Sequence, residues 1–199
     1  SNSAIGQLAL FSNTTANYNT AIGRQALYNN TTGNNNTATG KGALYWNTTG
    51  SSNTAIGKDA LSSNTTATQN TAVGYQALLT NSTGYNNVAV GLHSLYANTT
   101  GNALTIVGVN AAKFNTTGIQ NTAVGYKSFE KNTTGSYNVA SGYESLTNNT
   151  TGSNNTALGF KALEDNTTAS NNTSIGYQSL KFNTTGSQNT AVGLSLIHI

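Results

Sequence analysis

The chain has no cysteine, no proline and no methionine among its 199 residues, and only 7% of them are charged. Without cysteine there is neither a disulfide framework nor a thiolate metal site. Five carboxylates and two histidines in the whole chain leave little material for acid–base chemistry, so no enzyme and no cofactor are expected. No apolar run approaches the roughly 18 residues of a membrane span. Eight scattered Lys and Arg residues give a net charge of +3 without forming a basic stripe in the sequence, so nucleic acid is not an expected partner. Fewer than a fifth of the residues are Leu, Ile, Val or Phe, a share that borders on disordered chains. Disorder also needs a high net charge, which is missing here.

What the chain does have is a repeat, and that decides its architecture. Glycine stands at Gly6, Gly23, Gly40, Gly57, Gly74, Gly91, Gly108, Gly125, Gly142, Gly159, Gly176 and Gly193, always 17 residues apart. Asparagine keeps the same period at Asn13, Asn30, Asn47, Asn64, Asn81, Asn98, Asn115, Asn132, Asn149, Asn166 and Asn183. The unit reads Asn-Thr-Ala-Ile/Val-Gly-x-x-Ala/Ser-Leu-x-x-Asn-Thr-Thr-Gly-x-x, with no insertion or deletion from 2 to 193. Each unit must therefore occupy one equal step along an axis.

Seventeen residues are too few for a helical-hairpin repeat, which needs over 30. Thr-Ala-Ile/Val favours a short strand by its β-branched residues, and the glycine after it ends the strand. Asn-Thr-Thr-Gly is turn chemistry, with Gly expected to supply a positive φ. The middle, as in Tyr75-Gln76-Ala77-Leu78, fits either a second strand or a helical turn. The expected fold is all-β: a parallel β-solenoid of about eleven 17-residue coils over 1–193. At about 4.8 Å per coil, the rod is roughly 50 Å long.

One Leu, one Ile or Val and two Ala per coil are too small an apolar set to order a coil alone. Neighbouring coils must supply the rest through hydrogen bonds and side-chain ladders. In the coil 104–120, Ile106 replaces the usual Ala while Ala112 replaces the usual Leu, and the next coil sets Phe129 in the Leu position. Such nearly volume-conserving exchange is expected where two columns share one core.

The Asn13-to-Asn183 column reads as a stacked amide ladder. Its competing reading is glycosylation, because every member lies in an Asn-Thr-Thr or Asn-Ser-Thr acceptor pattern. The position after the repeated Gly becomes aromatic along the chain, at Tyr75, Tyr126, Tyr143, Phe160 and Tyr177. That stripe is a candidate surface for sugars or another protein, or a plain aromatic stack. His93 has no second histidine within the repeats, and the adjacent Glu164 and Asp165 would diverge on a strand, so neither suggests catalysis or a metal site.

The strand signature, as in Asn53-Thr54-Ala55-Ile56-Gly57 or Asn121-Thr122-Ala123-Val124-Gly125, resembles the head repeat of YadA-like trimeric autotransporter adhesins. The 17-residue form is similar to repeat arrays of bacterial and phage tail-fibre-domain proteins. The resemblance implies a left-handed β-roll, a homotrimeric fibre, and a location outside the cell, on its surface or on a virion tail. It implies a non-catalytic rod that attaches to a host surface or a glycan receptor. The alternative is an ice-binding solenoid using Thr14, Thr31, Thr48 and Thr65, or the adjacent Thr15, Thr32, Thr49 and Thr66. The chain opens inside a repeat and is read as a segment of a longer protein. Residues 194–199 leave the pattern, resemble a translated sequencing adapter, and are set aside from the fold.

Overall fold

The computed structural model describes residues 1–195; residues 196–199, most of the terminus set aside above, lie outside them. Twelve three-residue strands, from β1 (Ser3–Ile5) to β12 (Thr190–Val192), form one parallel sheet in sequence order. Every strand pairs with the equivalent residues one repeat away, as Thr20 with Thr37, Ala21 with Ala38 and Ile22 with Thr39. The described residues contain no helix, and the fold is a parallel β-solenoid of about eleven turns. Each column below is named by its member in the coil 19–35.

Only one strand forms per coil. The middle of the repeat, which sequence left between strand and helical turn, is neither. Gln25 and Leu27 sit at φ +60° and +52°, and their equivalents in every other coil, apart from a glycine at Gly42, are likewise left-handed non-glycine residues. This alternation lets every second amide point along the rod axis, while Ala26 N–H between them donates to Gly23 O in its own coil. Gln25 N–H donates back to Gln7 O at 2.9 Å, while Leu27 N–H donates forward to Ala43 O at 3.0 Å. Asn29 N–H and Thr31 N–H also donate forward, to Tyr45 O at 3.1 Å and Thr48 O at 2.9 Å. The segment is bonded to both neighbours without being a strand, which offsets backbone strain of roughly 1–3 kcal/mol per left-handed residue.

Two expectations about glycine and the core need correction. The Asn-Thr-Thr-Gly glycines do not supply the positive φ; that conformation lies two residues later, at Asn35 (φ +57°) and its equivalents. A Cβ on Gly33 would lie 2.2 Å from Gly50 O and 2.6 Å from Asn30 Oδ1, so this glycine answers crowding. Ala16, Ala67 and Ala169 occupy the same column, so the crowding can be relieved. The Gly23 column is stricter. Its φ values run from +128° to +141°, and a Cβ would strike the carbonyl of the next coil's glycine.

The Ile22 column, counted above as core, faces outward: Ile22 is 40% exposed and Ile56 is 42% exposed. The core is therefore thinner, made of the Ala21, Ala26 and Leu27 columns with Leu104 added from the Asn19 column, in one cluster running from Leu10 to Leu180. Ile106, Ala112 and Phe129 are buried in that same cluster, so the compensating exchanges do meet in one core.

Candidate interaction surface

Two amide ladders hold the thin core in register. In the first, Asn47 Nδ2 donates to Asn30 Oδ1 at 2.7 Å and to Gly50 O at 2.9 Å. The side-chain chain of bonds continues to Asn183, which donates to Asn166 Oδ1 at 3.3 Å. From Asn30 to Asn166 these side chains are buried, and both amide hydrogens of the laddered members are engaged. An N-linked sugar on Nδ2 is incompatible with that geometry, which decides for the ladder over the glycan within the folded rod. At the end of the ladder, Asn13 Oδ1 has no partner.

The second ladder was missed from sequence, although Asn opens eleven of the twelve repeats and only Leu104 departs. Asn19 Oδ1 accepts the backbone N–H of Asn36 at 2.9 Å, and Asn19 Nδ2 donates to Gly33 O at 2.9 Å. A buried carbonyl and a buried amide are satisfied by one side chain. The Gly33 carbonyl therefore accepts from both ladders, receiving Asn30 Nδ2 at 3.0 Å as well. The Gly50 carbonyl of the next coil, with the Asn30 and Asn47 side-chain amides beside it, is what crowds Gly33.

The surface falls into distinct strips. On the sheet, Ala21 points inward, so Thr20 and Ile22 share the outer face. Down the twelve strands this face carries no charge: one column is Ser, Thr or Val, the other Ile, Val, Leu, Thr or Ser. Round the corner made by Gly23 runs the column with the aromatic stripe. Tyr126, Tyr143, Phe160 and Tyr177 stack face to face at 5.2, 5.3 and 5.0 Å between centroids. Tyr75 stands apart, tilted against His93 at 5.5 Å. Stacking turns the four ring faces toward one another, so the edges and hydroxyls meet solvent. A second stack, Phe11–Tyr28–Tyr45 at 5.2 and 5.1 Å, was not singled out in the sequence.

Two of the five acidic residues, Glu144 and Glu164, lie in a charge zipper. Lys161 Nζ is 2.9 Å from Glu144 and 2.9 Å from Glu164, whose other oxygen is 3.4 Å from Lys181. Hydrogen bonds to Glu144 and then Glu164 raise the Lys161 pKa above the ordinary lysine value. Glu164 and Asp165 lie on the turn run, not a strand, and Asp165 accepts from Asn148 Nδ2 at 3.1 Å. His93 Nε2 lies 3.2 Å from Gln76 Oε1. Among the described residues, no group of three or more His, Cys, Asp or Glu is placed to hold a metal ion.

The Thr pairs named for ice binding separate. Thr31 Oγ1 donates to Thr48 O at 3.0 Å, and its column repeats that bond coil by coil. Those hydroxyl protons are engaged within the rod, while Thr15, Thr32, Thr49 and Thr66 are exposed. Comparison with protein-family models, curated proteins and solved structures finds no match for this chain.

Proposed function

We propose that this chain is a non-catalytic segment of an extracellular attachment fibre, whose role is to hold a binding surface at a distance from the body that carries it. The supporting observation is the unbroken register: twelve parallel strands pair residue for residue, so length grows by one equal step per repeat. Backbone bonds and both amide ladders run along the axis, which makes the rod stiff in the direction that a spacer requires.

The outer sheet face supports a reading in which the chain associates with copies of itself. Ile22, Ile56, Val107, Val124 and Ile175 expose a mostly apolar column, interrupted at Thr39 and Ser141, that the single chain does not bury. Three copies packed about a common axis would cover it, and closed symmetry limits the assembly. Sedimentation equilibrium of residues 1–193 tests this directly. A mass three times that of the chain supports the fibre, and a folded monomer removes the trimer.

The ice-binding reading draws on one observation, and it moves to a different face. The charge-free sheet face, not the Thr31 column, presents two columns, with the strands about 4.8 Å apart and side chains about 6.7 Å apart along each strand. Thermal hysteresis by a folded monomer, lost when Thr54 and Thr71 are replaced by Lys, would support this reading over the fibre. A trimer would bury the same face and exclude it.

A further inference from the structure

The basic residues of the first coils are arranged unlike those of the last. In the C-terminal half, charges of opposite sign alternate down a column, as in Lys127, Glu144 and Lys161, and Lys161 pairs with Glu144 in that column and with Glu164 in its own coil. In the Arg24 column, three cations follow one another: Arg24, Lys41 and Lys58. All three side chains are exposed. In-register coils set them about 4.8 Å apart, so they repel along the whole strip. Lys58 lies 3.7 Å from Asp59, but among the described residues neither Arg24 nor Lys41 has a carboxylate within 4.0 Å. Asp59 is the first acidic residue of the chain, and the next is Glu130.

We propose that Arg24, Lys41 and Lys58 form a binding strip for a linear acidic polysaccharide lying along the rod axis. This rests on the attachment-fibre reading and names its ligand class. A straight, evenly spaced row of cations matches an extended polymer that bears carboxylates or sulfates at regular intervals. A nucleic-acid duplex fits less well, because its phosphates wind about an axis and leave a straight column after a short stretch. Beyond Lys58 the column continues into Tyr75, whose ring lies 5.2 Å from Lys58 Nζ. Tyr75 thus closes the strip, its ring held between the Lys58 ammonium and His93.

The test is binding of the full chain to immobilised alginate and dextran sulfate, with uncharged dextran, single-stranded DNA and anionic phosphatidylserine vesicles as comparisons. Binding to both acidic polysaccharides is expected, and not to dextran. It should weaken steeply with salt, with a log–log slope of roughly −2 for three neutralised charges. R24Q/K41Q should lower affinity at least tenfold, while K113Q/K131Q, removing the same charge elsewhere, changes it less than threefold. Equal losses in both variants, binding to DNA or vesicles as tight as to alginate, or no binding to either acidic polysaccharide overturns the proposal. Rod length by electron microscopy on the same sample separates the two readings. An elongated particle that binds none of these ligands overturns the ligand class alone, and a short globular one overturns the fibre.

Discussion

The coil 104–120 offers the sharpest test of how this core is built. Ile106 is fully buried where other coils carry Ala, or Ser at Ser174, and Ala112 is 1% exposed where they carry Leu, or Phe at Phe129. Ile106→Ala alone removes buried methyl and methylene groups from a core that in this coil holds only Leu104 as another large side chain, and should cost about 2–5 kcal/mol. Ala112→Leu alone adds volume to a coil that holds Ile106 and is followed in the same column by Phe129. Overpacking there should cost about 1–3 kcal/mol. The double variant restores the consensus pair, so its destabilisation should fall short of the sum by about 1–3 kcal/mol. Adding Phe129→Leu removes the remaining mismatch and should recover more. The assay is urea unfolding followed by circular dichroism, with the slope checked for constancy among variants. Additivity to within about 0.5 kcal/mol would refute the argument, because it would mean that the two columns do not share space.

The two glycine columns predict opposite tolerances. Gly125→Ala, at φ +133° with a Cβ 2.4 Å from Gly142 O, should abolish or severely weaken folding. Gly118→Ala should fold with a modest loss, as Ala16, Ala67 and Ala169 do in the same column; equal melting temperatures for the two variants would remove the distinction. Lys161 gives a pH dependence. Its folded pKa is raised, so its contribution is whole below the ordinary value of 10.5 and is lost as pH rises through the higher folded value. The difference in melting temperature between wild type and Lys161→Met should therefore shrink above about pH 10.5, and a constant difference would contradict the pairing. Deleting residues 121–137, one complete repeat, should shorten the rod by about 4.8 Å and leave it folded, since each coil meets only its neighbours; small-angle scattering measures the change, and loss of folding contradicts it.

Much of this protein was legible before any coordinates. An exact period of 17 residues without a single indel can only be an equal step, and a period so short excludes helical hairpins. The Asn30 column announced its ladder, because a buried polar residue kept at one position must find its partner in the neighbouring copy. The Asn19 ladder was equally present in the letters but hidden by its neighbours, since Asn beside Thr-Ala-Ile reads as the entrance to a strand. What only the tertiary structure decided was direction. Alternation says that Ala21 and Ile22 face opposite ways, but it does not say which faces in. Two short Ala columns fit between closely spaced walls that share the interior with Leu27 and two amide ladders, so the larger Ile is left outside. The left-handed residues at Gln25 and Leu27 were likewise invisible, because neither side chain favours that conformation by itself. It is imposed from outside, because the amides of Gln25, Leu27, Asn29 and Thr31 find their carbonyls in the coil above or below, while Ala26 and Asn30 donate within their own coil.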